Sequence, residues 1–114
     1  MAILSWILQG LLAVMFIMAG SGKTMGSKMH VEAFTKWGLP QWFRIITGVV
    51  ELAAAILLIA GFWIEGAAIL GAAISIAVGF GGVVTHIRVK DTFKDTAMIA
   101  ILGILSIILL IILL

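Results

Sequence analysis

Apolar residues fall in four long blocks separated by short polar stretches. The blocks run from about Ala2 to Gly20, Trp42 to Trp63, Gly66 to Thr85 and Thr96 to Leu114. None alternates with period two, so a barrel strand does not fit. Each is close to the about 20 apolar residues that carry a helix across a hydrocarbon core about 30 Å thick. Lipid cannot satisfy the edges of an open sheet, so the blocks predict helices. The expectation is an all-α integral membrane four-helix bundle. Four spans use roughly 80 residues, which leaves one transmembrane domain over residues 1–114 and no soluble one.

The polar stretches predict how the spans connect. Phe62–Gly66 is short enough to make spans two and three an antiparallel hairpin. The first connection is longer. Ser27 is placed to cap a short helix over Lys28–Trp37, with Gly38 as its stop. Ala33, Phe34 and Trp37 share one face of it, while Lys28, Glu32, Thr35 and Lys36 lie mostly on the other. Glu32 and Lys36 form an i,i+4 pair. This is the pattern of an amphipathic helix lying in the membrane interface. Pro40 sits at the start of span two, where its missing N–H costs little. Asp91 or Asp95 is placed to cap span four.

Composition excludes more than it adds. The chain is 64% hydrophobic and 11% charged, with a mean hydropathy of +1.34. A soluble domain carries about 25% charged residues, and a small one buries only about 60–70% of its surface. A soluble globular domain and a disordered tail are excluded. The net charge of +2 is spread without a dense basic patch, so no nucleic-acid partner is expected. Without cysteine there is no disulfide, thiolate metal site, iron–sulfur cluster or catalytic thiol. His30 and His86, the two histidines, are too few for a zinc or haem site, so no metal is expected.

The basic residues predict the orientation. Lys23, Lys28, Lys36 and Arg44 surround the first connection; Arg88, Lys90 and Lys94 lie in the last. These seven all belong to one side. The positive-inside rule puts that side in the cytoplasm of a cell membrane and both termini outside. Trp6 and Trp63 mark the outer interface, Trp37 and Trp42 the inner one. Trp42 and Trp63 are about 32 Å apart along an ideal helix, one bilayer core. The first span is not expected to be a cleaved signal, because its basic residues follow the apolar run.

Four polar positions remain. Glu51 lies about 13 Å beyond Trp42 on an ideal helix, near the midplane. An acid there costs a few kcal/mol, so it should face the bundle interior or a water-filled cavity. It is either a proton carrier or ligand anchor, or a structural bond to Thr47 or a neighbouring helix. Gln9, Ala13, Phe16, Gly20 and Lys23 share one face of span one. Lys23 either leans back toward Glu51 or snorkels to the head groups. Arg44 shares the Glu51 face but lies about 10 Å lower, which disfavours a direct pair and leaves a water-linked one open. His86 ends span three on the face of Gly79 and Gly82. It is either a ligand or proton group, or a structural interface residue.

Two patterns are structural. Ala67, Gly71, Ser75 and Gly79, followed by Gly81 and Gly82, form a small-residue stripe suited to close packing or self-association, or alternatively to flexibility around a ligand. From Ile99 onward span four is almost wholly Ile and Leu, which reads as a lipid-facing or partner-facing wall. A third pattern is a decoy. Gly20-Ser21-Gly22-Lys23-Thr24 looks like part of a phosphate-binding P-loop, but Ile17 stands where its first glycine should be. These glycines are instead expected to end span one.

The order Ala19-Gly20 with Lys23, then Phe34, then Gly38-Leu39-Pro40, then Gly48 with Glu51, then Gly61 and His86 resembles the DoxX-like family of small four-helix membrane proteins. The similarity covers almost the whole chain. The resemblance implies a four-helix bundle with its polar motifs on the cytoplasmic half, and site positions at Lys23, Glu51 and His86. It also implies a membrane subunit of a quinone-linked oxidoreductase system, or of an oxidative-stress or thiol-redox assembly. Some members of the family act as assembly factors. This chain has no cysteine for a thiol role, and no recognisable flavin, haem or iron–sulfur motif.

Three functions fit these residues. The leading one is an accessory, non-catalytic membrane subunit that binds a quinone or another small amphipathic molecule between spans one, two and three, beside a redox partner subunit. The second is a small-molecule carrier or exporter, which with four helices would act at least as a dimer. The third is a structural or assembly partner docking through spans three and four.

Overall fold

The computed structural model describes residues 2–89 and 93–114, with side chains from 3–89 and 96–114. Its helices are α1 (Ala2–Met25), α2 (Lys28–Lys36), α3 (Gln41–Ala60), α4 (Glu65–Arg88) and α5 (Phe93–Leu113). All but α2 are long and apolar enough to cross a membrane. The all-α four-span bundle with a short helix after the first span is therefore the observed architecture. The proposed caps Asp91 and Asp95 lie outside the residues whose side chains are described.

Span one does not end at its glycines. The chain stays helical through Gly20 and Gly22 to Met25, and Gly26 ends the helix at a φ of +76°. The glycines are inside the helix because neighbours occupy the space a side chain would need. A Cβ on Gly20 would lie 2.8 Å from the Gly48 carbonyl oxygen, and one on Gly22 would lie 2.7 Å from the His30 ring. Ser27 holds the N-cap position of α2 but makes no capping bond with its side chain. Gly38, at a φ of +72°, stops α2 as expected. There the Gly38 N–H donates to Thr35 and the Leu39 N–H to Phe34, the paired closure of a Schellman motif. Gln41 opens α3 directly after Pro40, which occupies its N-cap position in an extended conformation.

The four long helices close into a ring, α1 against α3 and α5, and α4 against α3 and α5. Water drives little of this packing in lipid; close van der Waals fit and buried polar bonds drive it. The centre is filled by Leu12 and Phe16 of α1, Leu58 of α3 and Leu109 of α5, none of them exposed. Gln9 is buried with them and donates from Nε2 to the Leu58 carbonyl at 3.1 Å. An interhelical bond of this kind contributes about 0.6 kcal/mol in a membrane.

The small-residue stripe of α4 sits one position later than expected at its start. Ala68 is fully buried, whereas Ala67 is partly exposed; Gly71, Ser75 and Gly79 are buried as expected. The stripe also changes partner along its length. Gly61 of the turn meets Ala68, and Gly71 meets Leu58 of α3. Further along, a Cβ on Gly79 would lie 2.8 Å from the Gly103 Cα of α5, and one on Gly82 would lie 2.6 Å from Ile99. The α3–α4 hairpin is thus zipped beside its turn, while α4 leans onto α5 at its other end. Span four is not only a wall. Leu102, Ser106 and Leu109 are buried against the bundle, while Ile101, Ile104, Ile108 and Ile111 face outward.

Candidate functional site

The diverging ends of α3 and α4 leave a chamber of about 550 Å³ at the basic end of the bundle. That lies within the range of about 300–1,000 Å³ that holds small molecules. Ile46 and Val50 of α3 and Ile74, Ala77 and Gly81 of α4 line its sides. Phe34 and Trp37 of α2, with Leu39 after it, form the floor. Polar groups reach it from Lys23, Thr47, Glu51, Thr85 and His86. Most of the lining is hydrocarbon, so few groups can orient a ligand.

Glu51 is 2% exposed and forms an ion pair with Lys23, which is 17% exposed. The Lys23 ammonium donates a hydrogen bond to Glu51 Oε1. Of the two expectations for Lys23, the lean toward Glu51 is the observed one. The helix crossing makes this reach practicable. A Cβ on Gly48 would lie 2.9 Å from the Lys23 Cβ, so the bare Gly48 backbone gives the lysine stem its path to α3. Thr47 does not hold Glu51; its hydroxyl donates to the Phe43 carbonyl of its own helix at 2.8 Å.

Arg44 acts one layer below. It is buried, and its Nη1 donates to the Lys23 carbonyl in the last turn of α1. A guanidinium there satisfies a carbonyl without a helical partner and meets the negative end of the helix dipole. Arg44 Nε donates to Gln41 Oε1 at 2.7 Å. The Gln41 amide in turn donates to the Val31 carbonyl at 3.3 Å and to the Thr35 hydroxyl at 3.1 Å. One chain of hydrogen bonds thus ties α1, α2 and α3 together under the chamber. The His30 ring packs against Gly22 beside this network. Burial first, then the charges of Lys23 and Arg44, hold its pKa below the ordinary value.

His86 reaches the chamber from the far end of α4. Its ring meets Trp37 edge-on, with centroids 5.1 Å apart and an interplanar angle of 69°. Phe34 stacks obliquely on Trp37 at 5.2 Å and on Phe43 at 6.5 Å, so the floor is an aromatic layer joined to α3 and α4.

The model of the DoxX-like family matches residues 7–109. This chain belongs to the DoxX-like family. It is also similar to YdgD of Bacillus subtilis (strain 168), an uncharacterized protein, with 31% identity over 75 residues. That match spans 66% of each chain, so this protein covers a little less than two thirds of the relative's length. No solved structure matches the chain.

With four apolar spans, this DoxX-like chain is a multi-pass membrane protein. Its fold brings Lys23, Glu51 and His86 to one chamber. Lys23 and Glu51 touch; His86 meets the aromatic floor. Sequence reasoning left Arg44 on the face of Glu51 and missed its bond to the end of α1. It also missed His30 and the tie through Gln41. The available signal was the cluster of polar residues just before and after the interfacial helix. The decoy segment Gly20–Thr24 is helical, so its backbone N–H groups are committed within α1 instead of forming a phosphate cradle.

Proposed function

We propose that the chamber binds the polar head of a small amphipathic molecule, and that the protein serves as an accessory membrane subunit of a quinone-linked or stress-related redox system. Lys23 and Glu51 would bond the head, and His86 would bound it on the α4 side. The observation that carries this reading is an acid 2% exposed, paired with a lysine, in the wall of an otherwise apolar chamber of about 550 Å³. An acid at this depth is expensive, and helix packing alone would be served by Gln or Ser. The ion pair is neutral as a whole. It still offers the spare N–H donors of Lys23 and the second oxygen of Glu51 to a neutral head with carbonyl or hydroxyl groups. A quinone has that chemistry. We place the basic end on the cytoplasmic side of the cell membrane, because the charge asymmetry of the connections supports it.

Decylubiquinone binding to the protein in nanodiscs tests the site. Loss of a bond to a charged partner costs about 1.5–3 kcal/mol. Glu51→Gln is therefore expected to weaken binding by about tenfold to a hundredfold, with unchanged far-UV circular dichroism. Equal affinity for the two proteins would refute the role of Glu51. A cysteine introduced at Ser27 of this cysteine-free chain reports orientation. A charged thiol reagent should modify it only from the cytoplasmic side.

A further inference from the structure

The aqueous end and the lipid side of the chamber are built differently. Toward the basic end lie α2, with Phe34 buried and Trp37 against His86, and the hydrogen-bond chain from Lys23 through Arg44 and Gln41 to Val31. On the lipid side no such closure exists among the described residues. Ile46 (51% exposed) and Val50 (38%) of α3 line the chamber yet face outward. Ala77 and Gly81 of α4 also line it and are exposed. Here α3 and α4 have parted, because Gly79 and Gly82 hold α4 against α5. A Cβ on Gly81 would meet nothing within 4 Å, whereas one on Gly82 would strike Ile99. Gly81 is therefore bare at an opening, not at a packing contact.

We infer that the chamber is loaded sideways from the bilayer, through the cleft between α3 and α4 at Ala77 and Gly81, by a lipid-dissolved molecule with a neutral head and an apolar tail left in the cleft. This rests on the reading of the chamber as a binding site. The apolar rim favours a tail over a water-soluble metabolite, which would have to cross hydrocarbon or unseat α2. The neutral Lys23–Glu51 pair leaves no net charge to hold an anionic or cationic head. Gly81 then governs the rate of passage, not the bonding of the head.

The test uses stopped-flow quenching of Trp37 in nanodiscs, in a protein whose Trp6, Trp42 and Trp63 are replaced by Phe. The ligands are decylubiquinone and the same ring without its tail. Gly81→Leu puts a branched side chain at the opening, where its Cβ would meet nothing within 4 Å. It is expected to slow both association and dissociation of decylubiquinone by about tenfold or more, leaving the equilibrium affinity within about threefold. Gly81→Ala and Ala77→Leu should give smaller slowing in the same sense, which guards against misfolding of one variant. Ile104→Ala, on the outward face of α5 and away from the chamber, should leave the rates unchanged, and the tail-less ring should bind more weakly than decylubiquinone. Sideways loading is overturned if Gly81→Leu leaves the association rate unchanged, or if it weakens affinity through dissociation alone. If neither ligand quenches Trp37 before any Gly81 change, the binding-site reading itself fails, a result distinct from those two.

Discussion

Removing Lys23 should harm the fold more than neutralising Glu51. Glu51 is 2% exposed and Lys23 17%. In Lys23→Met the carboxylate loses its ammonium at a position where only 2% of it is exposed. Breaking a buried pair in this way costs about 3–5 kcal/mol. In Glu51→Gln the amide oxygen still accepts from Lys23, and the lysine stem can extend toward the basic end of the bundle. The expected cost is about 1 kcal/mol, that of an ordinary hydrogen bond weakened from a charged one. The double variant joins two uncharged groups, so Lys23→Met should cost only about 1 kcal/mol when Gln already stands at 51. The resulting coupling is about 2–4 kcal/mol, near the Coulomb value of about 4 kcal/mol for unit charges about 4 Å apart at an effective dielectric of 20. Reversible unfolding in mixed detergent micelles, followed by circular dichroism, measures all four proteins. A coupling below about 0.5 kcal/mol, or equal costs for the two single variants, would refute the reasoning.

Two further outcomes follow from the packing and the polar layer. Gly48→Ala should destabilise by about 1–3 kcal/mol through overpacking, because the new Cβ meets the Gly20 carbonyl and the Lys23 stem at 2.9 Å each. Gly10→Ala, with nothing within 4 Å, should instead gain up to about 1 kcal/mol of helix propensity in the same micelle assay. His30 has a folded-state pKa below its ordinary value of about 6.5, so the unfolded chain binds the extra proton first. Its contribution should be full above about pH 6.5 and be lost as pH falls through the folded pKa; His30→Gln should flatten that part of a stability–pH curve, and an unaltered slope would count against it.

The spans were legible because lipid demands long apolar runs and satisfied backbones, and both are written residue by residue. The single proline and Gly38 marked their boundaries for the same local reason. The end of α1 was not legible. Gly20 and Gly22 look like stop signals until Gly48 and His30 are known to lie against them. The partner of Lys23 was likewise open, since snorkelling and pairing use the same side chain and the choice depends on how closely two helices cross. The bond that Arg44 makes was not legible because its acceptor is a backbone carbonyl, which no residue type announces. The buried face of α5 was hidden by uniformity. Ile and Leu occupy both sides, so only the neighbours of Leu102, Ser106 and Leu109 distinguish them.

The change of partner along α4 has a consequence for how such a protein can vary. The apex of the cleft lies between Gly71, seated on α3, and Gly79, seated on α5. The depth of the chamber is thus set by two residues without functional groups, on a helix that contributes neither member of the ion pair. A small residue gained one turn beyond Gly71 on the α3 side would zip the hairpin further and make the chamber shallower. Loss of the seat at Gly79 would let α4 swing back and narrow it. On the proposed reading of the chamber as a binding site, ligand length and head chemistry would be encoded on different helices, and either could change while the other stays fixed.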